Sequence, residues 1–242
     1  GDNGTGATLL TKSGSGTWVL TAAHTYSGGT TINEGTLKLD PSGRLPVGGN
    51  LTLNATGTSP AIFHLNGLTQ TIGTLTFGGP GANSRAITDI FIGPGTTGTL
   101  TLGGPVTYDA TGNPAGATIS GGTLSLGATR AFNIGDSTTV TTELTIYSPI
   151  TDFAPIKAGP GSLMLSGVNT YAGATVINDG RLQLGASGTL PAPTNIVVNG
   201  TTSGGNAVFD VGGQSQTIGT LTFGGTGATS TSGNSGVMAP GG

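Results

Sequence analysis

The chain has 242 residues, 48 of them Gly, none of them Cys and only 7% charged, with a formal net charge of -3. Disulfides, thiolate metal sites and thiol nucleophiles are excluded together. The seven Lys/Arg are dispersed from Lys12 to Arg181, which leaves no electrostatic footprint for nucleic acid or anionic lipid.

Residues 1–16 are rich in Gly, Thr and Ser, with Leu9-Leu10 as the apolar pair. The first strand signal is Gly14 to Thr21, where Trp18 and Leu20 share one face. His24 to Gly29 turns the chain, Thr30 to Asn33 resumes it, and Glu34-Gly35 turns it again before Thr36 to Leu39. There Leu37 and Leu39 should face inward and Lys38 outward. Asp40-Pro41-Ser42-Gly43 is ordinary turn chemistry.

The rhythm continues through 50–54, 61–66 and 72–77, then a Gly/Pro/Asn loop at 78–86. It resumes at 89–92, 99–102 and 106–108, crosses a loop at 109–116, and returns at 117–120, 123–126 and 131–134 before a longer run at 140–150. No window carries the apolar period of a helix, so the expected helix content is zero. No run is long and apolar enough for a membrane span. Recurring apolar pairs such as Leu37/Leu39, Leu51/Leu53 and Leu100/Leu102 also argue against disorder.

The chain then repeats itself. Thr71 to Gly79 returns letter for letter as Thr217 to Gly225, 146 residues on. Gly161 to Gly173 overlays Gly16 to Gly28 at an offset of 145, pairing Trp18 with Leu163, Tyr26 with Tyr171 and Leu37/Leu39 with Leu182/Leu184. The extra residue enters between Pro191 and Phe209, in loop rather than strand, where it does not invert an inward face. The units are 1–145 and a partial second, 146–242, continuous with the first. The tail Val237–Gly242 corresponds loosely to Ile90–Gly95, and Gly1 falls in register near residue 146. The sequence therefore reads as a window cut from a longer tandem array, and a missing leader carries no information.

Short Thr/Leu/Ile/Val strands between Gly-rich turns fit a sandwich, a propeller or a β-helix. The abundance of Gly for tight corners and of Thr for an uncharged outer face favours the β-helix. At two or three strands per coil, about 8–11 coils would make a rod of about 40–50 Å.

The run Gly159-Pro-Gly-Ser-Leu-Met-Leu-Ser-Gly-Val-Asn-Thr-Tyr-Ala-Gly-Ala-Thr-Val-Ile-Asn-Asp-Gly-Arg-Leu-Gln-Leu184 resembles the autotransporter-associated (passenger-associated) β-strand repeat. Gly14 to Leu39 resembles it too, with Ala23-His24 where the family more often has Gly-x-Asn. The resemblance implies an all-β, right-handed parallel β-helix (β-solenoid), here in superrepeats of about 145 residues. It also implies an extracellular or bacterial outer-surface location and a role in stems, adhesin-like display and export. It transfers no catalytic residue, metal ligand or cofactor to this chain.

An enzymatic solenoid would need carboxylates held together. The ten acidic residues here lie more than two positions apart, most of them in turns. His24 and His64 have no ligand-like neighbours and are matched by Asn169 and Asp210 in the second unit, so both read as surface or turn histidines. Trp18, Tyr26, Tyr108, Tyr147 and Tyr171 could form a sugar-stacking stripe. The favoured reading puts Trp18 in the interior, as Leu163 is, and the tyrosines at corners. Stacked Asn ladders are a further expectation. Triplets at Asn3, Asn50, Asn54 and Asn199 fit glycosylation at the frequency chance supplies. The expected protein is a non-enzymatic structural rod of a surface or extracellular protein, with an adhesin or carbohydrate-binding module as the alternative. Its expected partners are copies of itself or adjoining repeats end to end, or surface glycans, with neither nucleic acid nor membrane insertion.

Overall fold

The structure is a computed structural model that describes residues 6–82, 88–95, 97–112, 114–200, 206–224 and 235–238, the last strand by its backbone. Asn3, the end of the tail, and parts of the loops at 78–86 and 109–116 lie outside the described residues.

Every named strand pairs in parallel, and no described residue is helical. Two ten-stranded sheets run the length of the stack, one from Leu10–Lys12 to Ile218–Phe223, the other from Thr17–Leu20 to Ser235–Met238. A third sheet of four strands, Thr69–Ile72, Thr99–Leu102, Thr123–Ser125 and Ile150–Thr151, covers a third side in the middle. The fold is a parallel β-helix. Ten strands at the usual spacing make a stack of about 45 Å.

The alternation in the sequence sets which side chains go inside. In Gly35–Leu39, Leu37 and Leu39 are fully buried and Lys38 lies on the outer face. Register then stacks like on like: Leu37 pairs with Phe63, Phe63 with Ile90, Ile90 with Ile119 and Ile119 with Ile146. Burying each such aliphatic side chain is worth about 2 kcal/mol, and the core is one continuous column set rather than a central knot.

The repeat of the sequence maps onto six steps of each long sheet, from Gly35–Leu39 to Gly180–Leu184 and from Thr30–Ile32 to Thr175–Ile177. The columns do not close on themselves. Leu37 leads along its column to Leu165 and Leu184, whereas its repeat partner Leu182 shares a column with Leu163, Leu144 and Ala117. In the other sheet Ile177 stands in the column of Lys157, Phe132 and Val106, which passes through Thr30 rather than Ile32. The slip is two residues in both sheets. An even slip preserves the inward face, which a slip of one would invert.

Several expected elements differ. Thr69–Ile72 and Leu75–Gly78 are two strands in two different sheets, broken at Gly73-Thr74, where one strand over 72–77 was expected. The expected run at 140–150 is likewise split into Leu144–Ile146 and Ile150–Thr151, because Ser148-Pro149 turns the chain from one sheet to the next. Leu10–Lys12, ahead of the first strand signal in the sequence, pairs with Thr30–Ile32.

Candidate functional site

The most specific local construction is a lysine at a corner, built twice. Lys12 and Lys157 occupy inward positions and are 0% and 1% exposed. Lys12 Nζ donates to the carbonyls of Ser13, Gly14 and Glu34 at 3.1, 2.5 and 2.8 Å. Lys157 Nζ donates to those of Ala158, Gly159 and Asp179 at 3.0, 2.6 and 3.0 Å. Three acceptors match the three donors of an ammonium. Each clamp ties one turn to the turn of the next coil.

The same corner requires glycine. Gly35 (φ 72) and Gly180 (φ 66) are in the left-handed region. A Cβ at Gly180 would stand 2.4 Å from Gly161 O, 2.5 Å from Gly159 O and 2.7 Å from Lys157 Nζ; at Gly35 the distances to Gly16 O, Gly14 O and Lys12 Nζ are 2.5, 2.4 and 2.8 Å. Burial pushes the Lys157 ammonium down to about 7, while the carboxylates of Asp179 and Glu143 pull it upward. Burial also lowers Lys12, with Glu34 opposing. Neither lysine was singled out in the sequence. The signal that could have found them is the pairing Lys12…Glu34-Gly35 and Lys157…Asp179-Gly180 at the repeat offset.

Side-chain amides do comparable work where the third sheet is missing. Gln70 Oε1 accepts from Leu45 N at 2.9 Å while Nε2 donates to Leu45 O at 3.2 Å. Gln216 and Leu190 repeat this at 2.8 and 3.1 Å. Asn169, 3% exposed, accepts from Ile150 N at 2.9 Å and donates to Thr189 O at 2.8 Å, bridging two coils as a strand would. The expected asparagine stacking occurs at Asn178–Asn199, where Asn199 Nδ2 donates to Asn178 Oδ1 at 3.3 Å. Asn199 is thereby buried and withdrawn from the surface.

The aromatic residues do not make one stripe. Tyr26 and Tyr171 are buried at equivalent corners, each hydroxyl 2.7 Å from the Oγ1 of a threonine, Thr30 and Thr175. Tyr108 is buried and donates to Pro114 O at 2.9 Å, and burial raises its phenol to about 12. Tyr147, at the corner after Leu144–Ile146, is 55% exposed. Trp18, expected inside, is 45% exposed, whereas its repeat partner Leu163 is fully buried. Thr17–Leu20 is the edge strand of its sheet and has a neighbour on one side only, so the indole covers the Lys12 ammonium at 5.6 Å instead.

His64 lies on the outer face beside Phe91, ring centroids 4.9 Å apart, between the buried Phe63 and Leu65. His24 sits in a turn 6.0 Å from the Tyr26 ring. The acidic residues are dispersed among structural partners. Asp210 pairs with Arg181, Asp89 accepts from Thr118, and Asp152 accepts from Ser125. Buried Glu143 accepts from the N–H groups of Ser137 and Ser162 at 3.1 and 2.6 Å. Among the described residues no three His, Asp or Glu converge in a metal-like group. A surface cleft of about 640 Å³ opens between the turns at 23–27 and 44–49.

Comparison with known proteins agrees with this construction. Residues 10–39 and 156–184 match the passenger-associated-transport-repeat family. Over 138 residues, 56% of the chain, it is 33% identical to a protein of Brucella suis biovar 1 (strain 1330) described as the adhesin BmaC autotransporter. The match covers 4% of that relative's length. No solved structure matches the chain. Both matched segments begin in the strand that carries a clamp lysine and end in the strand that opens with its glycine, so the two stretches similar to the passenger-associated-transport repeat are the two that build the clamps.

Proposed function

We propose that this chain is a rigid, non-enzymatic rod segment in the exported, surface-exposed passenger of a larger bacterial protein. The observation that carries the reading is the pair of ten-stranded parallel sheets, each of which runs through residues of both units. Such a stack resists bending because every coil is hydrogen-bonded to the next, and its stability is spread along the axis. The units 1–145 and 146–242 are, on this reading, successive lengths of one rod. Adjoining repeats would add strands to the edges at Leu10–Lys12 and Thr17–Leu20.

The relative's description as an adhesin supports a display role for the passenger to which such a rod belongs. Small-angle scattering with electron imaging across a concentration series tests the rod. Separate particles about 45 Å long, or filaments with that repeat, are expected. A compact globule with no elongated dimension would defeat the proposal.

A further inference from the structure

The cleft between the turns at 23–27 and 44–49 is a place where the first unit departs from the second at positions joined by the same cross-coil backbone hydrogen bonds. His24 N donates to Arg44 O at 3.1 Å, and Asn169 N donates to Thr189 O at 3.1 Å. Arg44 N donates to Ala22 O and Thr189 N to Gly167 O, each at 3.1 Å. The isolated bridges Ala23–Arg44 and Val168–Thr189 also correspond. The side chains differ in kind. Asn169 is turned into the stack to bridge two coils, and Thr189 is small. In the first unit the same two positions present an imidazole and a guanidinium to a cleft of about 640 Å³, a volume within the range of small-molecule sites, about 300–1,000 Å³.

Two contacts orient the guanidinium. Arg44 Nη1 donates to Pro41 O at 3.2 Å and Gly43 O at 2.5 Å. Both use Nη1 and hold the group in place, and the Nε–Nη2 edge is the one that pairs bidentately with a carboxylate. The cleft also has a continuation. Its second turn rests on the third sheet, with Gly48 N donating to Thr71 O at 3.3 Å and Leu45 joined to Gln70. From there the outer face of that sheet carries two ranks of hydroxyls in register: Thr69, Thr99 and Thr123 in one, and Thr71, Thr101 and Thr151 in the other, with the buried Ser125 between the last two. Their inward neighbours Leu100, Leu102, Leu124 and Ile150 are fully buried, which fixes the ranks as outward. The rungs are about 4.8 Å apart, a spacing suited to successive rings of a sugar chain. The carboxylate of Asp152 accepts from Ser125, in the half of the sheet away from the cleft.

We propose that this cleft binds a carboxylate-bearing sugar, through Arg44 and His24, at the head of a hydroxyl ladder that takes the following rings of the chain. The proposal goes beyond the rod reading and does not depend on it.

Titration calorimetry at low ionic strength would use tetragalacturonate, its methyl ester, and 3′-sialyllactose. Binding of at least one of the two acidic probes is expected, with the ester at least tenfold weaker than tetragalacturonate where the latter binds, as loss of a charged hydrogen-bonded pair implies. The double variant His24→Asn/Arg44→Thr installs the second unit's own residues at the two positions whose backbone hydrogen bonds correspond. It should keep the far-ultraviolet dichroism and elongated scattering profile of the wild type and lose acidic-probe binding at least tenfold. Thr99→Val with Thr101→Val should weaken an oligomer but not free galacturonic acid if the uronate is the ligand. Sialyllactose binding without tetragalacturonate binding would assign the site to a terminal acidic sugar and remove the ladder from it. No binding of either acidic probe, equal binding of acid and ester, or full binding by the double variant would overturn the proposal while leaving the rod intact.

Discussion

The two units share an interior and differ at the surface. Both have a lysine with three carbonyls, a left-handed glycine beside it, a tyrosine bonded to a threonine, and a glutamine paired with a leucine backbone. On the outer face of the same long sheet, however, Thr11, Thr31, Thr52, Thr76 and Thr107 stack in the first unit, and Ile156, Val176 and Val197 stack in the second. Corners and columns are constrained by neighbours on both sides. The outer face meets only water or a partner, so it can diverge without disturbing the stack.

The sharpest way to break the shared interior is Gly180→Ala. The added methyl meets two carbonyls and the lysine nitrogen while the backbone keeps a disfavoured φ, for a cost of about 3 kcal/mol. Gly213→Ala is the control: its φ is 81, but nothing lies within 4 Å of the new atom, so the cost should be about 1–2 kcal/mol. Gly35→Ala meets the same contacts in the second coil from the edge, where local opening is already easier. Hydrogen exchange should show loss of protection confined to the first coils for Gly35→Ala and in the middle of the second unit for Gly180→Ala. Equal, global loss in both would mean the rod melts as one cooperative block.

Lys157→Met separates the two lysines by pH. Folded Lys157 releases its proton near 7, whereas the unfolded chain holds it to about 10.5. Between these values the unfolded state binds more protons, so stability rises with pH from about 7 toward 10.5 and is flat in this respect below 7. Asp179 and Glu143, the carboxylates facing Lys157, limit the rise. The wild-type melting temperature should climb by a few degrees across that window. Lys157→Met should flatten it and, by leaving three carbonyls without their donor, cost about 2–3 kcal/mol at neutral pH. An unchanged slope in the variant would assign the pH dependence to other groups.

The amide bridge is the next discriminator. Asn169→Ala leaves the buried Ile150 N–H without its acceptor, at a cost of about 2 kcal/mol. His24→Ala removes no such rung and should stay within about 0.5 kcal/mol. Chemical denaturation of both variants checks the pair, and similar losses would show that His24 carries structural weight of its own.

What the sequence made legible follows the same division. Strand positions, inward pairs and the period come from alternation and glycine spacing, which are local and repeat. Trp18 was misplaced because exposure depends on whether a coil lies on both sides of a strand, and alternation says nothing of that. The identical nonapeptide shows the limit more directly. Residues 71–79 turn a corner between two sheets at Gly73-Thr74, and Ile218–Phe223 in the second copy runs as one strand with a register shift opposite Thr194 and Ile196. A bulge and a corner differ by the neighbouring coil, not by the segment itself. The lysine clamps were hidden for a different reason: an inward Lys in a strand contradicts its usual surface preference, and only the carbonyls of the next coil explain it. The cleft needs two turns about twenty residues apart, and only stacking brings His24 and Arg44 together.

The smallest effect on stability tests whether the surface difference belongs to folding at all. Thr31→Val, Thr52→Val and Thr76→Val together give the first unit the kind of outer face that Ile156, Val176 and Val197 give the second. Valine suits a β surface as well as threonine does, and no buried hydrogen bond is removed. The triple variant should therefore melt within about 1 kcal/mol of the wild type. Its consequence should be seen in association, because joining three aliphatic rungs enlarges the exposed apolar area. Sedimentation velocity should show the variant self-associating at concentrations where the wild type does not. If instead it melts several degrees lower and stays dispersed, the threonine stack is part of what holds the coils together, and the division between a fixed interior and a free surface fails at that sheet.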